Sequence, residues 1–520
     1  MKASIARRLA QLAAGTAAAA FLAAALPSVP ALAQSAADTL RVGVKSLPPG
    51  FGRADQGTAS PSVYATWPMY DSLTKVNLKA EVEPQLALSW KNVNSTTWEV
   101  TLRPNVKFHN GDPMTAEDVA GWFTHLMTDA GNGTVSGTNL RQLLRLDRVE
   151  VKGPLLVHFI TKTPQPILPN MLSQAFLPQL KNLQEAGLET FTRKPVATGP
   201  YKAVDLRTDK FIYTAHADSW RAPKIKNMET VALGETATRV QAIVSNQIDI
   251  AQGVSVDSVA QMANAGHGVD FALRPSVMGW RLFSVSRDTP FKDKRVRQAA
   301  NFAIDRNAMN DGLLHGKSAA ASQCATSFTN GFNPNVKPYT YDPAKARSLL
   351  AQAGHPNGFD TVFEVLTESF PADGDIYQKA AADLTAAGIR AELRVITFAD
   401  WLKKWFVPAG TPTLGFVGGG FQNECHNDQM DAIGSFRNIS CRLTPAHHCD
   451  PEEDKLLNAA DAEFDPVKRT KILQDLLALN SENAAMIYMV ELRDLTGLNK
   501  RVQGFKNEIQ RWNYHEVTFR

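Results

Sequence analysis

Alternating strand and helix signals predict an α/β protein whose sheets are mostly buried. Three observations carry that prediction. Period-two apolar stretches stand near residues 40 and 98; capped helical segments follow Thr115, Asp342 and Asp465; and a continuous apolar run, Met486 to Val490, has the length of a buried strand. The chain shows no internal repeat and no low-complexity tract.

In chain order, Leu40, Val42 and Val44 alternate with Thr39, Arg41 and Gly43, the pattern of a strand with one buried face. Trp98, Val100 and Leu102 repeat it against Glu99, Thr101 and Arg103, and Asn110-Gly111 beyond them is a turn signal. Thr115-Ala-Glu-Asp118 then reads as a capping box, the Thr hydroxyl accepting from the backbone N–H three residues on while Asp118 reaches back. Val119, Trp122, Phe123 and Leu126 follow at helical spacing. Val296, Ala299, Ala300, Ala303 and Ile304 form a second helical face. Asp342-Pro343 opens a third helix by N-cap and first-turn proline chemistry, with Ala346, Leu349, Leu350 and Ala353 inside and Gly354 suited to end it. Asp465-Pro466 opens a fourth.

The first residues speak to compartment. Lys2, Arg7 and Arg8 precede an Ala/Leu-rich stretch from Leu9 to Leu26, and Ala31-Leu32-Ala33 supplies small residues for a signal peptidase. Residues 1–33 are therefore expected to be a cleaved signal peptide. As a membrane span the stretch is poor, being interrupted by Gly15 and Thr16 and closed by Pro27 and Pro30. No Cys stands at the cleavage point, which argues against a lipid anchor and for a periplasmic protein. The whole chain carries a net charge of +4, but the leader holds three basic residues and no acidic one, so the remainder carries about +1. No Lys/Arg block there resembles a phosphate-tracking stripe, which excludes nucleic acid as a partner. The length allows two or three separate cores. Four cysteines, Cys324, Cys425, Cys441 and Cys449, enter an oxidising compartment, where disulfides are the default. Cys441 and Cys449 would close a short loop and leave Cys324 with Cys425; the connectivity stays open at this point.

The sequence contains near-matches to enzyme and metal motifs, and none is complete. Gly312-Leu-Leu-His-Gly316-Lys317-Ser318 is one residue short of a phosphate loop and follows a helix instead of a strand. Ser72-Leu-Thr-Lys75 matches S-x-x-K without a Lys-Thr-Gly partner. No Gly-x-Ser-x-Gly or His-Glu-x-x-His occurs. Cys425-His426 and Cys441…His447-His448-Cys449 contain metal-binding residue types, but the spacing fits no standard zinc site and export favours pairing of the cysteines. The expectation is no enzyme, no metal and no cofactor.

Three stretches together resemble the family 5 extracellular solute-binding proteins, the dipeptide, oligopeptide and nickel-binding group. They are Trp98 to Phe123 (WEVTLRPNVKFHNGDPMTAEDVAGWF), Thr198 to Val204 (TGPYKAV) and Phe283 to Met309 (FSVSRDTPFKDKRVRQAANFAIDRNAM). The resemblance runs through nearly all of the mature chain. It implies a two-lobed periplasmic-binding-protein fold of type II with an extra subdomain and a hinged cleft. Residues 38–70, 198–282 and 493–520 would form lobe I, 71–197 the extra subdomain and 283–492 lobe II. It places Ser72 to Lys75 at a helix end. It also implies a monomeric receptor that delivers a peptide, or another small solute, to ABC transporter permease subunits in the inner membrane.

A peptide brings an ammonium that needs a carboxylate and a carboxylate that needs Arg, Lys or backbone N–H groups. Peptide-binding relatives place an acidic residue shortly after a Gly-Trp pair. The similar stretch here is Gly420-Phe421-Gln422-Asn423-Glu424, which makes Glu424 the expected ammonium anchor and Asp428 the fallback. Phe421 stands where the family has Trp, and Glu424 where it has Asp. A solvated loop carboxylate is the competing reading. Dipeptide-type relatives carry an Arg in the region comparable to Leu366-Thr-Glu-Ser-Phe370-Pro371-Ala-Asp373, where this chain has Glu368. That absence favours a longer peptide, or a different amine such as a nickel chelate, an opine or glutathione. Arg281 beside Trp280 is a substitute anion partner or a surface ion pair. Tyr64, Trp67, Trp280, Phe370, Trp401 and Phe421 fall in segments that line the family's cleft, although each can equally be core. Gly418-Gly419-Gly420 would let backbone approach a ligand closely, or serve only as a flexible strand end.

Overall fold

The computed structural model describes residues 38–48, 50–51, 62–128, 135–408, 410–436, 439–509 and 511–520. The expected signal peptide, residues 1–33, lies outside them.

An 11-stranded mixed sheet runs through the molecule, built around two long antiparallel strands, Gly268–Leu282 and Met486–Leu498. The expected strand from Met486 is thus real and much longer than its apolar run. The pair is in register from Gly268↔Leu498 to Leu273↔Arg493 and again from Gly279↔Tyr488 to Arg281↔Met486. Between these stretches the register shifts around Arg274, Pro275 and Ser276. Pro275 has no N–H to give the ladder, and its carbonyl accepts from the Asn427 N–H at 2.9 Å instead. Gly279 is required for a different reason: a Cβ there would meet the Ile487 carbonyl at 2.2 Å.

On one side of the break lie Thr39–Val44 and Ile250–Gln252, parallel to each other. Thr39–Val44 continues into Asn227–Ala232, Lys210–Ala215 and Tyr201–Leu206. On the other side lie Gly420–Gln422, Phe359–Val365 and Ile389–Val395, joined by parallel pairing. Ile250–Gln252 runs from Leu498 towards Thr496, and Gly420–Gln422 runs from Leu282 towards Trp280. The C-terminal ends of strands from both halves therefore aim at the register break from opposite directions. In open α/β sheets that is where ligands bind.

The local signals were realised as expected. Leu40, Val42 and Val44 are buried. Both bonds of the Thr115–Asp118 capping box form, and helix Ala116–Met127 buries Val119, Trp122, Phe123 and Leu126. It packs on a four-stranded sheet, Ala87–Asn94, Thr97–Leu102, Leu156–Thr161 and Leu146–Gly153. Asp342 and Asp465 cap helices Pro343–Gln352 and Pro466–Glu482, and the structure adds a cap not read from the sequence, Asp293 on helix Lys294–Ala303. One expectation is corrected. Ser72 and Lys75 do not end a helix but sit in short strands, Asp71–Ser72 and Thr74–Val76, because the preceding helix stops at Thr66. Lys75 pairs with Glu83 at 2.8 Å and Glu508 at 3.1 Å, and the Ser72 hydroxyl donates to the Thr74 carbonyl.

Candidate functional site

At the register break the chain places Arg274 among acids. Its guanidinium lies 3.5 Å from Glu424 Oε2 and 3.4 Å from Asp494 Oδ1. Asp494 arrives on the opposite long strand, paired with Ala272, and Glu424 just past the end of Gly420–Gln422. Burial works against the Arg274 charge, but Glu424, Asp494, Asp428 and the Tyr64 oxygen outweigh it and raise its pKa. Burial raises the Asp494 pKa, and Arg274 only partly opposes it. The Phe370 ring covers the guanidinium, its centroid 4.8 Å from the carbon.

The opposite wall comes from the first strands and the C-terminal tail. Tyr64 is buried, its hydroxyl pKa raised by burial and by Asp494, and it bonds to Gln252. The Gln252 side chain also accepts from the Lys45 N–H at 3.0 Å. Lys45 Nζ crosses to the far half of the sheet, donating to the Glu368 carbonyl at 2.7 Å. Arg511 is buried too. Burial lowers its pKa to about 10 despite Asp428, and it lies 4.9 Å from the Trp67 ring centroid. Several polar atoms in this region, Arg274 Nε, Ser276 Oγ, Asp428 Oδ1 and Gln429 Oε1, are buried without a hydrogen-bond partner among the described residues.

The expected site residues divide into two groups. Glu424, Phe370 and Tyr64 meet around Arg274, with Asn423 buried beside Glu424 and Trp67 between the guanidinium groups of Arg221 and Arg511. Glu424 is no solvated loop carboxylate; its side chain is 9% exposed. Trp280 and Phe421 are core residues. Trp280 stacks on Phe363 at 4.3 Å, and Phe421 stacks on Phe416 at 4.1 Å. Trp401 is half-buried, stacked on Trp405, with its indole N–H donating to the Gln422 carbonyl at 3.1 Å. Arg281 forms no surface ion pair: it is fully buried and donates to the Glu424 carbonyl at 2.7 Å. Burial lowers its pKa to about 9. The Gly418 to Gly420 run serves close approach between protein strands. A Cβ at Gly418 would stand 2.3 Å from the Val362 carbonyl, and one at Gly420 2.5 Å from that of Arg281.

Both cysteine pairs form, Cys324 with Cys425 and Cys441 with Cys449. The first ties the residue after Glu424 to a loop 101 residues earlier. His447 and His448 are buried instead of solvated. His448 bridges Ser284 Oγ at 2.7 Å and Glu453 Oε1 at 3.3 Å. Among the described residues, no group of three or more His, Cys, Asp or Glu is placed to hold a metal ion.

Sequence reasoning missed Arg274, Asp494, Gln252 and Lys45. The available signal was charge inside apolar strands: Arg274-Pro275 interrupts one long strand, and Arg493-Asp494 the other.

A sheet in two halves, with buried charged side chains gathered at facing strand ends, is the architecture of a periplasmic-binding-protein fold. A solved structure of the Helicobacter pylori ABC transporter-associated periplasmic binding protein DppA, in complex with peptide STSA, superposes with a TM-score of 0.79. It is 20% identical and covers 92% of this chain and 98% of that one. The sequence profile of the bacterial extracellular solute-binding proteins, family 5 Middle, matches residues 81–435, and the chain belongs to that family. Among curated relatives, heme-binding protein A of Haemophilus influenzae is 25% identical over 452 residues, 82% of each chain. The probable di/tripeptide-binding protein 5 of Pseudomonas aeruginosa is 24% identical over 526 residues, 96% of this chain and 98% of its own.

Proposed function

We propose that this chain is the periplasmic substrate-binding component of an ABC importer, a receptor and not an enzyme, capturing amine-bearing peptides in the crevice around Arg274. One observation carries the reading. Three carboxylates, Glu424, Asp494 and Asp428, act on the one buried Arg274 guanidinium, an acidic surrounding that supports a ligand's ammonium. Buried polar atoms without partners cost about 1–3 kcal/mol each, and an extended peptide backbone supplies both donors and acceptors to them. Residues 38–70, 198–282 and 493–520 act as one lobe with 71–197 as its subdomain, residues 283–492 act as the other, and the break at Arg274 to Ser276 lies at the hinge. Ligand shifts this hinge towards closure by binding the closed form better than the open one. The closed, loaded monomer is what the inner-membrane permease selects, after export has removed residues 1–33.

Native mass spectrometry of protein purified from a periplasmic extract tests the reading. Copurified masses should be those of short peptides and should disappear on unfolding and refolding. A non-peptide solute recovered in stoichiometric amount would replace "peptide" with that solute and leave the receptor role intact.

A further inference from the structure

We propose that Lys45 is the partner of the ligand's carboxylate, and that the Glu368 side chain stands in for that carboxylate here. The inference deepens the peptide-receptor reading and rests on it. Lys45 follows the strand Thr39–Val44, whose C-terminal end aims at the crevice, and its N–H bond to Gln252 joins it to Tyr64 and so to the Arg274 cluster. Its amine makes two unequal contacts with one residue. Nζ donates to the Glu368 carbonyl at 2.7 Å, whereas the Glu368 carboxylate lies 3.6 Å away, beyond hydrogen-bond range.

The local geometry explains the inequality. The Asp373 carboxylate accepts from the N–H groups of Glu368, Ser369 and Phe370 at 2.9, 2.7 and 3.1 Å, which organises one tight turn. Glu368 adopts a left-handed φ of 60° within it, a conformation uncommon outside glycine. This turn presents two things to the crevice: the Glu368 carbonyl to Lys45 and the Phe370 ring to Arg274. The Glu368 carboxylate is left 72% exposed and the Lys45 side chain 42% exposed. An exposed pair of this kind contributes little, so a ligand carboxylate replaces the glutamate at small cost while the carbonyl keeps the amine in place. Arg274 and Arg511 do not fill the role: both are buried, Arg274 facing Glu424 and Asp494 and Arg511 donating to the Ser173 carbonyl. The crevice therefore takes zwitterions, with the ammonium at Glu424 and the carboxylate at Lys45.

The test compares a mixed tripeptide library, as free acids and as C-terminal amides, by calorimetric titration of wild type, Lys45→Met and Glu368→Gln. Wild type should favour acids at least tenfold. Lys45→Met should lower that preference below threefold with amide affinity unchanged, and Glu368→Gln should tighten acids about twofold by removing the competing carboxylate. Equal weakening of acids and amides in Lys45→Met, or weaker acid binding in Glu368→Gln, would show a lobe-closing latch and overturn the proposal. A wild type that binds neither library overturns the peptide reading itself, and this inference with it.

Discussion

Replacing Glu424 by Ala removes the carboxylate that faces both Arg274 and the incoming ammonium. Its contacts within the protein are long, 3.5 Å to Arg274 and 3.4 Å to His426 Nδ1. Arg274 keeps Asp494 at 3.4 Å after the substitution, so the variant should fold. The ligand has no such second partner at that place. A hydrogen bond to a charged group contributes about 1.5–3 kcal/mol. Lost ammonium recognition should then weaken binding roughly 12- to 150-fold. The assay is tryptophan fluorescence titration with a peptide and its N-acetylated form, with urea unfolding as a control for the fold. The acetylated peptide, which offers no cation, should bind wild type and variant within about twofold of each other. If both forms weaken equally, Glu424 supports the crevice wall without reading the amine.

Two further outcomes concern stability. Arg274→Met strands Glu424 and Asp494 together without their cation, a change that costs about 3–5 kcal/mol for a buried pair. Part of that should return as pH is lowered from 7, because Asp494, its pKa already raised by burial, takes up its proton in the fold before it does in the unfolded chain; urea midpoints measured down the pH series check it. His109 is held neutral in the fold. Its Nδ1 accepts from the Ala197 N–H at 3.3 Å, Nε2 faces the Gly199 carbonyl at 3.2 Å, and burial beside His216 lowers its pKa to about 3. The unfolded chain protonates this residue near pH 6.5, so its contribution is full above that value and is lost as pH falls towards 3. The slope is about 1.4 kcal/mol per pH unit. His109→Gln should flatten the urea-midpoint profile over that window by one proton; an unchanged profile would assign the acid sensitivity elsewhere.

The division between what was legible in the sequence and what was not follows the range of the interactions. Thr115 and Asp118 are three residues apart, and Asp342 caps the helix that begins at the next residue, so local hydrogen-bond chemistry was enough to place them. Glu424 was reachable through a resemblance of its segment. Arg274 was not, because its partners lie 150 and 220 residues further along the chain, and they meet only where two strands lose register. The same distance misled the aromatic residues. Trp280 and Phe421 lie in strands that run up to the register break, but side chains alternate between faces along a strand, and theirs point into the packed layers. Arg281 pairs directly with Phe421, and its buried guanidinium holds the backbone that carries Glu424. A cation adjacent in sequence to an apolar strand residue thus became structural, while a cation at a proline-broken position gathered carboxylates from both halves of the sheet. What separates them is whether the ladder is intact. Where it is intact, backbone pairing consumes the local polar groups and the side chain serves the core. Where Pro275 breaks it, the Arg274 guanidinium turns to carboxylates from both halves, Glu424 and Asp494.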